Sequence, residues 1–95
     1  MITGGKMIQR FYITSKYGLH ARPATKLVNL AMKFEGEITL TWENKSINLK
    51  SIMGLMSLGI YNGQEIEITT SGKDELDSMN QITDFIIQEK IGRKI

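Results

Sequence analysis

The stretch Ala21–Trp42, "ARPATKLVNLAMKFEGEITLTW", changes period halfway along, and that change decides the fold. In its first half Ala24, Leu27, Val28, Ala31 and Met32 recur at helical spacing, and Pro23 stands where a first helical turn tolerates proline. The spacing predicts a helix over about Ala21–Lys33. "EG" ends it, with Gly36 available for a left-handed cap or turn. In the second half Ile38, Leu40 and Trp42 alternate with Glu37, Thr39 and Thr41, the pattern of a strand that buries one face.

The same two periods extend outward. "MIQRFYIT", residues 7–14, alternates imperfectly, with Ile8, Arg10, Tyr12 and Thr14 on one face and Met7, Gln9, Phe11 and Ile13 on the other. Residues 1–6 precede it as an extension, natural or added. After Trp42, "ENKS" predicts a hairpin turn pivoting on Asn44, and "INL" a short return strand. "SIMGLMSLG" reads as one short helix between Ser51 and Gly59, and Asn62–Gly63 as a turn. "EIEITTSG" alternates again with Ile66 and Ile68 inward. In "KDELDSMNQITDFIIQEKIG", Leu76, Met79, Ile82, Phe85 and Ile86 form an apolar helical stripe. Asp74 and Glu75 suit the positive end of that helix. The order is βαββαβα. Strands that alternate bury one face only, so the expected fold is α+β: a four-stranded antiparallel sheet with three helices on one face. The domain spans 7–92, with 93–95 as a tail.

Composition narrows the chemistry. Ninety-five residues make one domain, 41% hydrophobic and 23% charged, an ordinary globular mixture. The net charge of +2 comes from scattered basic residues, which argues against nucleic acid. An RNA-binding α/β domain finds no further support, because Phe11 and Tyr12 fall on opposite faces of their strand. With no cysteine, a disulfide framework, a thiolate metal site and a thiolate nucleophile are excluded; with one histidine, a zinc site would need unusual carboxylate help, and no cofactor is implied. Absent cysteines fit a reducing, cytoplasmic setting. No stretch approaches the ~20 apolar residues of a membrane helix.

The single histidine and the single proline lie together in "YGLHARPAT", residues 17–25. His20 falls just before the predicted helix. There the first backbone N–H groups, Ala21 among them, lack intrahelical acceptors and carry the positive end of the macrodipole, a setting that binds phosphate. Arg22 adds a guanidinium suited to bidentate phosphate contact, and Pro23 stiffens the first turn. A neutral imidazole offers a ring-nitrogen lone pair as nucleophile. These residues therefore suit an imidazole that takes up a phosphoryl group and rests it on the amides and Arg22. From the residues alone, a solvated surface histidine beside a solvated arginine is the better account of the motif, because short motifs recur by chance. No Asp or Glu stands near His20 to complete a hydrolytic triad.

A second segment, "KSIMGLMSLG", residues 50–59, places Ser51 where an N-cap belongs. Ile52, Met53, Leu55 and Met56 are too many apolar residues for one buried face of so short a helix. Leu55 and Leu58 suit the core. Ile52, Met53 and Met56 suit an adaptable contact surface.

"GLHARPAT" followed by "KSIMGLMSLG" resembles the histidine-containing phosphocarrier family, HPr, of the bacterial sugar phosphotransferase system, and the likeness runs from about Met7 to Gly92, including Gly72, Asp74 and Glu75. The resemblance implies an open-faced β-sandwich. It implies that His20 is phosphorylated, at Nδ1, by the phosphoenolpyruvate-dependent enzyme I, and that the phosphoryl group passes to sugar-specific IIA domains. Arg22 then stabilises the phosphate, and the protein is a relay rather than an enzyme. It implies further that Ser51, as in Gram-positive members, is the target of an ATP-dependent HPr kinase/phosphorylase, the phosphoserine form binding a catabolite-control transcription factor. Tyr17 departs from the small polar residue more usual beside the histidine. The segment around Ser51 also resembles Crh, a regulatory relative that lacks the active histidine; His20 argues against that assignment.

Overall fold

The computed structural model describes residues 5–95; the expectation for residues 1–4 lies outside the described residues. The elements are β1 (Lys6–Ile13), α1 (Ala21–Ala31), β2 (Glu37–Trp42), β3 (Lys45–Asn48), α2 (Ile52–Met56), β4 (Glu65–Ser71), α3 (Glu75–Gln88) and β5 (Gly92–Lys94). They form one antiparallel sheet in the order β3-β2-β4-β1-β5, with five strands where four were expected. Lys6, counted with the extension in the sequence reading, already pairs with Ser71. The additional strand joins the last expected domain residue to the expected tail: Gly92, then Arg93 and Lys94, pair with Ile13, Tyr12 and Phe11.

This topology explains why the helices share a face. Each helix joins two strands that are parallel to each other with a third between them: β1 to β2 across β4, β3 to β4 across β2, and β4 to β5 across β1. The first crossover travels in the opposite direction to the other two, on strands of opposite sense. Right-handed crossovers then put all three helices on one side. The core lies between them and the inward residues of the alternating strands. Phe11, Ile13, Ile38, Leu40, Ile66 and Ile68 come from the sheet, and Ala24, Leu27, Val28, Ala31, Leu55, Met79, Ile82 and Ile86 from the helices. The other face stays open to solvent, where Arg10 pairs with Glu65 at 2.7 Å.

Two residues of the expected apolar stripes are exposed instead. Met32, the C-cap of α1, is 61% exposed; its backbone is still helical, and at 100° per residue it lies roughly a quarter-turn from the mean direction of Ala24, Leu27, Val28 and Ala31. Leu76 is 57% exposed. At 100° per residue it lies roughly a quarter-turn from the line through Met79, Ile82 and Ile86. Ser78, on the opposite flank of that line, is buried, its hydroxyl donating to the Glu75 carbonyl at 3.1 Å.

Two turns also depart from expectation. The β2–β3 hairpin puts its left-handed residue at Glu43 (φ 56), the first of the two loop residues before Lys45. Gly36 is needed for close approach rather than for a left-handed turn, since a Cβ there would run into the Ser71 carbonyl. Asp74 supports the same spot. Its carboxylate accepts the N–H groups of Glu35 (2.8 Å) and Gly36 (3.1 Å) instead of capping its own helix.

Candidate functional site

The loop before α1 is held from three directions. The N–H groups of Thr14 and Ser15 donate to the Ile91 carbonyl (3.0 and 3.1 Å), and Leu19 N–H donates to the Ile60 carbonyl (3.1 Å). The Asn62 side-chain amide donates to the carbonyls of Thr14 and Ser15, each at 3.0 Å. Between these ties Gly18 adopts φ 65, and a Cβ on it would collide with the Tyr61 backbone. Leu19, 5% exposed, anchors the loop in the core, and the next residue starts the helix.

That residue is His20. Its backbone is extended (φ −79, ψ 179), and its carbonyl accepts the Ala24 N–H at 3.0 Å. Its imidazole makes no capping bond and is exposed, so the ring is not consumed by local structure. The N–H groups of Ala21 and Arg22 occupy the first two helical positions and have no intrahelical acceptor, and Pro23 brings none. No acidic residue stands in the first turn to offset their field. Arg22 is exposed and makes no ion pair among the described residues. Tyr17 stands edge-on to the imidazole, ring centroids 6.0 Å apart at 86°, with Lys16 Nζ 5.4 Å from the tyrosine ring.

His20, Arg22 and Pro23 line a small open cleft of about 170 Å³ whose other walls include Lys26, Glu89 and Ile91. The sequence reading missed Lys26 and Glu89. Lys26 carried a usable signal, being four residues after Arg22 and so on the same helix face. Glu89 carried none, since only the packing of the α3 C-terminus brings it here. Chemically the cleft presents an imidazole, two cations and one carboxylate, beside a helix start whose first amides have no intrahelical acceptor. No cluster of three or more metal-ligating side chains exists among the described residues, and no helix there is long and apolar enough to cross a membrane.

Ser51 lies apart from this cleft, at the start of α2. Its Oγ accepts the Gly54 N–H at 3.0 Å, the N-cap expected from its position. Lys50 Nζ is engaged by the Phe34 carbonyl at 2.6 Å. Ser51, Ile52 and Met53 face Thr25 and Asn29 of α1 and its C-cap Met32 across a shallow surface groove. Met53 is 81% exposed, and Ile52 and Met56 are also exposed. Met32, displaced from the core, enlarges this apolar patch.

A buried-face sheet with an exposed histidine at a cationic helix start describes a carrier of anionic groups better than an enclosed catalytic pocket. The chain matches the family described as the PTS HPr component phosphorylation site over residues 8–88. It is 39% identical to a histidine-containing phosphocarrier protein of Mycoplasma, with a TM-score of 0.85 over 93% of this chain and 98% of that one. To the phosphocarrier protein HPr of Bacillus anthracis it is 37% identical, with a TM-score of 0.80 over 85% and 96% of the two chains. The catabolite-repression protein Crh of Bacillus subtilis is also similar, 38% identical with a TM-score of 0.68 over 81% and 87%. The chain belongs to the HPr family of phosphocarrier proteins of the phosphotransferase system. Members of that family act as carriers rather than catalysts and work with phosphotransferase components such as enzyme I and IIA domains.

Proposed function

We propose that His20 accepts a phosphoryl group from enzyme I and passes it to sugar-specific IIA domains in the cytoplasm. The observation that carries this reading is the uncommitted imidazole at the start of α1, sharing one cleft with Arg22. In the transfer, a His20 ring nitrogen attacks phosphorus in line. An N–P bond forms, the donor's bond to phosphorus breaks, and its electron pair stays with the donor. The barrier is lowered by positioning and by charge neutralisation from Arg22 and the Ala21 and Arg22 amides. The test is incubation with enzyme I and phosphoenolpyruvate, followed by intact mass before and after acid. One acid-labile phosphoryl group is expected, absent in His20→Ala although that variant stays folded. An acid-labile phosphate on His20→Ala would refute the assignment.

The half-buried serine cap beside the exposed Ile52, Met53 and Met32 favours a second role, either alongside the first or, as in a Crh-like module, in its place. Phosphorylation of Ser51 by the HPr kinase/phosphorylase would add a charge of about −2 at the α1–α2 surface. It would favour an arginine-bearing partner, such as a catabolite-control transcription factor, over an acidic one. An acid-stable phosphate from ATP and that kinase, lost in Ser51→Ala, is the expected result; its absence removes this role.

A further inference from the structure

The His20 cleft contains an ion pair that the carrier reading leaves without a task. Lys26 Nζ stands 3.8 Å from Glu89 Oε1, and the two side chains are 56% and 43% exposed. A pair this long and this exposed is weak. Lys26 also sits one helical turn above Arg22 on the same face of α1, where like charges repel. Both cations line the cleft with His20, and Glu89 is the one carboxylate among its lining residues. In the resting cleft, therefore, two cations share a single weakly held counter-charge.

A phosphoryl group on His20 changes that balance. It brings up to two negative charges and three acceptor oxygens to the same cleft, against the single charge of Glu89. At equal distance the dianion attracts an ammonium twice as strongly, and the flexible four-carbon stem of lysine lets the ammonium move between them. We propose that Lys26 is a second cationic ligand of the His20 phosphoryl group, held by Glu89 while His20 is free and exchanged onto the phosphoryl oxygens when it is loaded. The proposal rests on His20 as the acceptor. Lys26 acts after the N–P bond has formed; it stays protonated and only changes counter-ion. Its effect is on how strongly the carrier retains the group against its donors and acceptors.

The experiment lets two forms of the protein compete for one pool of phosphoryl groups. Wild type and Lys26→Ala are mixed with catalytic enzyme I and limiting phosphoenolpyruvate, and the phosphorylated fraction of each is read by intact mass under alkaline conditions. The ratio of phosphorylated to free protein should be about two- to five-fold lower for Lys26→Ala, the range of an exposed charge contact. Lys26→Arg should restore it, and Glu89→Gln should shift it in the opposite direction. Raising the salt concentration should shrink the differences, which a packing defect would not do. Equal partition between wild type and Lys26→Ala, or a difference insensitive to salt, overturns the proposal. His20→Ala in the same mixture separates the two levels. If it takes up phosphate, the acceptor assignment fails; if only wild type and Lys26→Ala are labelled, and equally, the Lys26 role alone fails.

Discussion

Gly18 and Gly59 share a backbone angle, φ 65, yet differ in what a side chain would meet. Around Gly59 a Cβ finds nothing within 4 Å, whereas at Gly18 it runs into the Tyr61 backbone. Alanine at Gly59 therefore incurs only the left-handed penalty, about 1–2 kcal/mol. At Gly18 the same penalty applies, and the loop must also move away from the 60–61 segment. The Leu19 N–H to Ile60 carbonyl bond is the tie that must stretch, and Leu19 is buried. Leaving that N–H unsatisfied adds about 1–3 kcal/mol. Gly18→Ala should then lose at least about 1 kcal/mol more than Gly59→Ala in urea unfolding. His20 follows two residues later, so the displaced loop should also slow phosphoryl uptake from enzyme I and phosphoenolpyruvate, while Gly59→Ala remains near wild type. Equal destabilisation of the two variants, with equal uptake, would refute the claim that the loop is locked by contact with Tyr61.

Lys90 occupies the left-handed position after α3 (φ 57), with its N–H donating to Ile87 O (3.1 Å) and Ile91 N–H donating to Ile86 O (2.9 Å), a Schellman arrangement. Lys90→Gly should stabilise the protein by about 1 kcal/mol, raising Tm by roughly 4–8 °C in calorimetry; no gain would contradict the cap. Leu76→Gln should change stability by no more than about 0.5 kcal/mol. Ile82→Ala, fully buried, should cost about 2–5 kcal/mol, and denaturant midpoints will show whether the stripe is drawn correctly. Ser51→Asp keeps an N-cap acceptor and should leave stability nearly unchanged. In the proposed regulatory role it should raise KM for enzyme I in a salt-dependent way with little effect on kcat; a change in kcat alone would argue against a docking effect.

The change of period between Ala21 and Trp42 was enough to read the architecture, because a helix and a half-buried strand bury residues at different spacings. The misreadings arise where spacing carries no signal. Leu76 keeps the i, i+3 relation to Met79, but a pairwise count does not fix the centre of a stripe. β5 is three residues long, too short for alternation to show, and it depends on a left-handed turn at Lys90 where no glycine marks the position. Asp74 stands where a helix dipole favours a carboxylate, yet both its oxygens serve a turn formed by Glu35 and Gly36. The candidate site divides in the same way. His20, Arg22, Pro23 and Ser51 are local signals, readable because each depends on its place relative to a helix start. The opposition of Lys26 and Glu89 is tertiary and becomes visible only when α3 is packed against α1.

α1 gives the two candidate sites a common surface. Its N-cap carries His20, and Thr25, only five residues later, already lines the groove beside Ser51. At 1.5 Å per residue that separation is about 7–8 Å along the axis. A typical partner footprint of about 800 Å² spans roughly 30 Å, so in the proposed carrier role a protein docked over His20 would also reach the groove. In that role a charge placed at Ser51 would lie within the contact area and act through the interface itself. No rearrangement is required to connect the sites: Ser51 accepts a backbone N–H at a helix start, where added negative charge is tolerated. Coupling of this kind should appear as electrostatics, sensitive to ionic strength over a Debye length of about 8 Å, with the fold on either side of the modification unchanged.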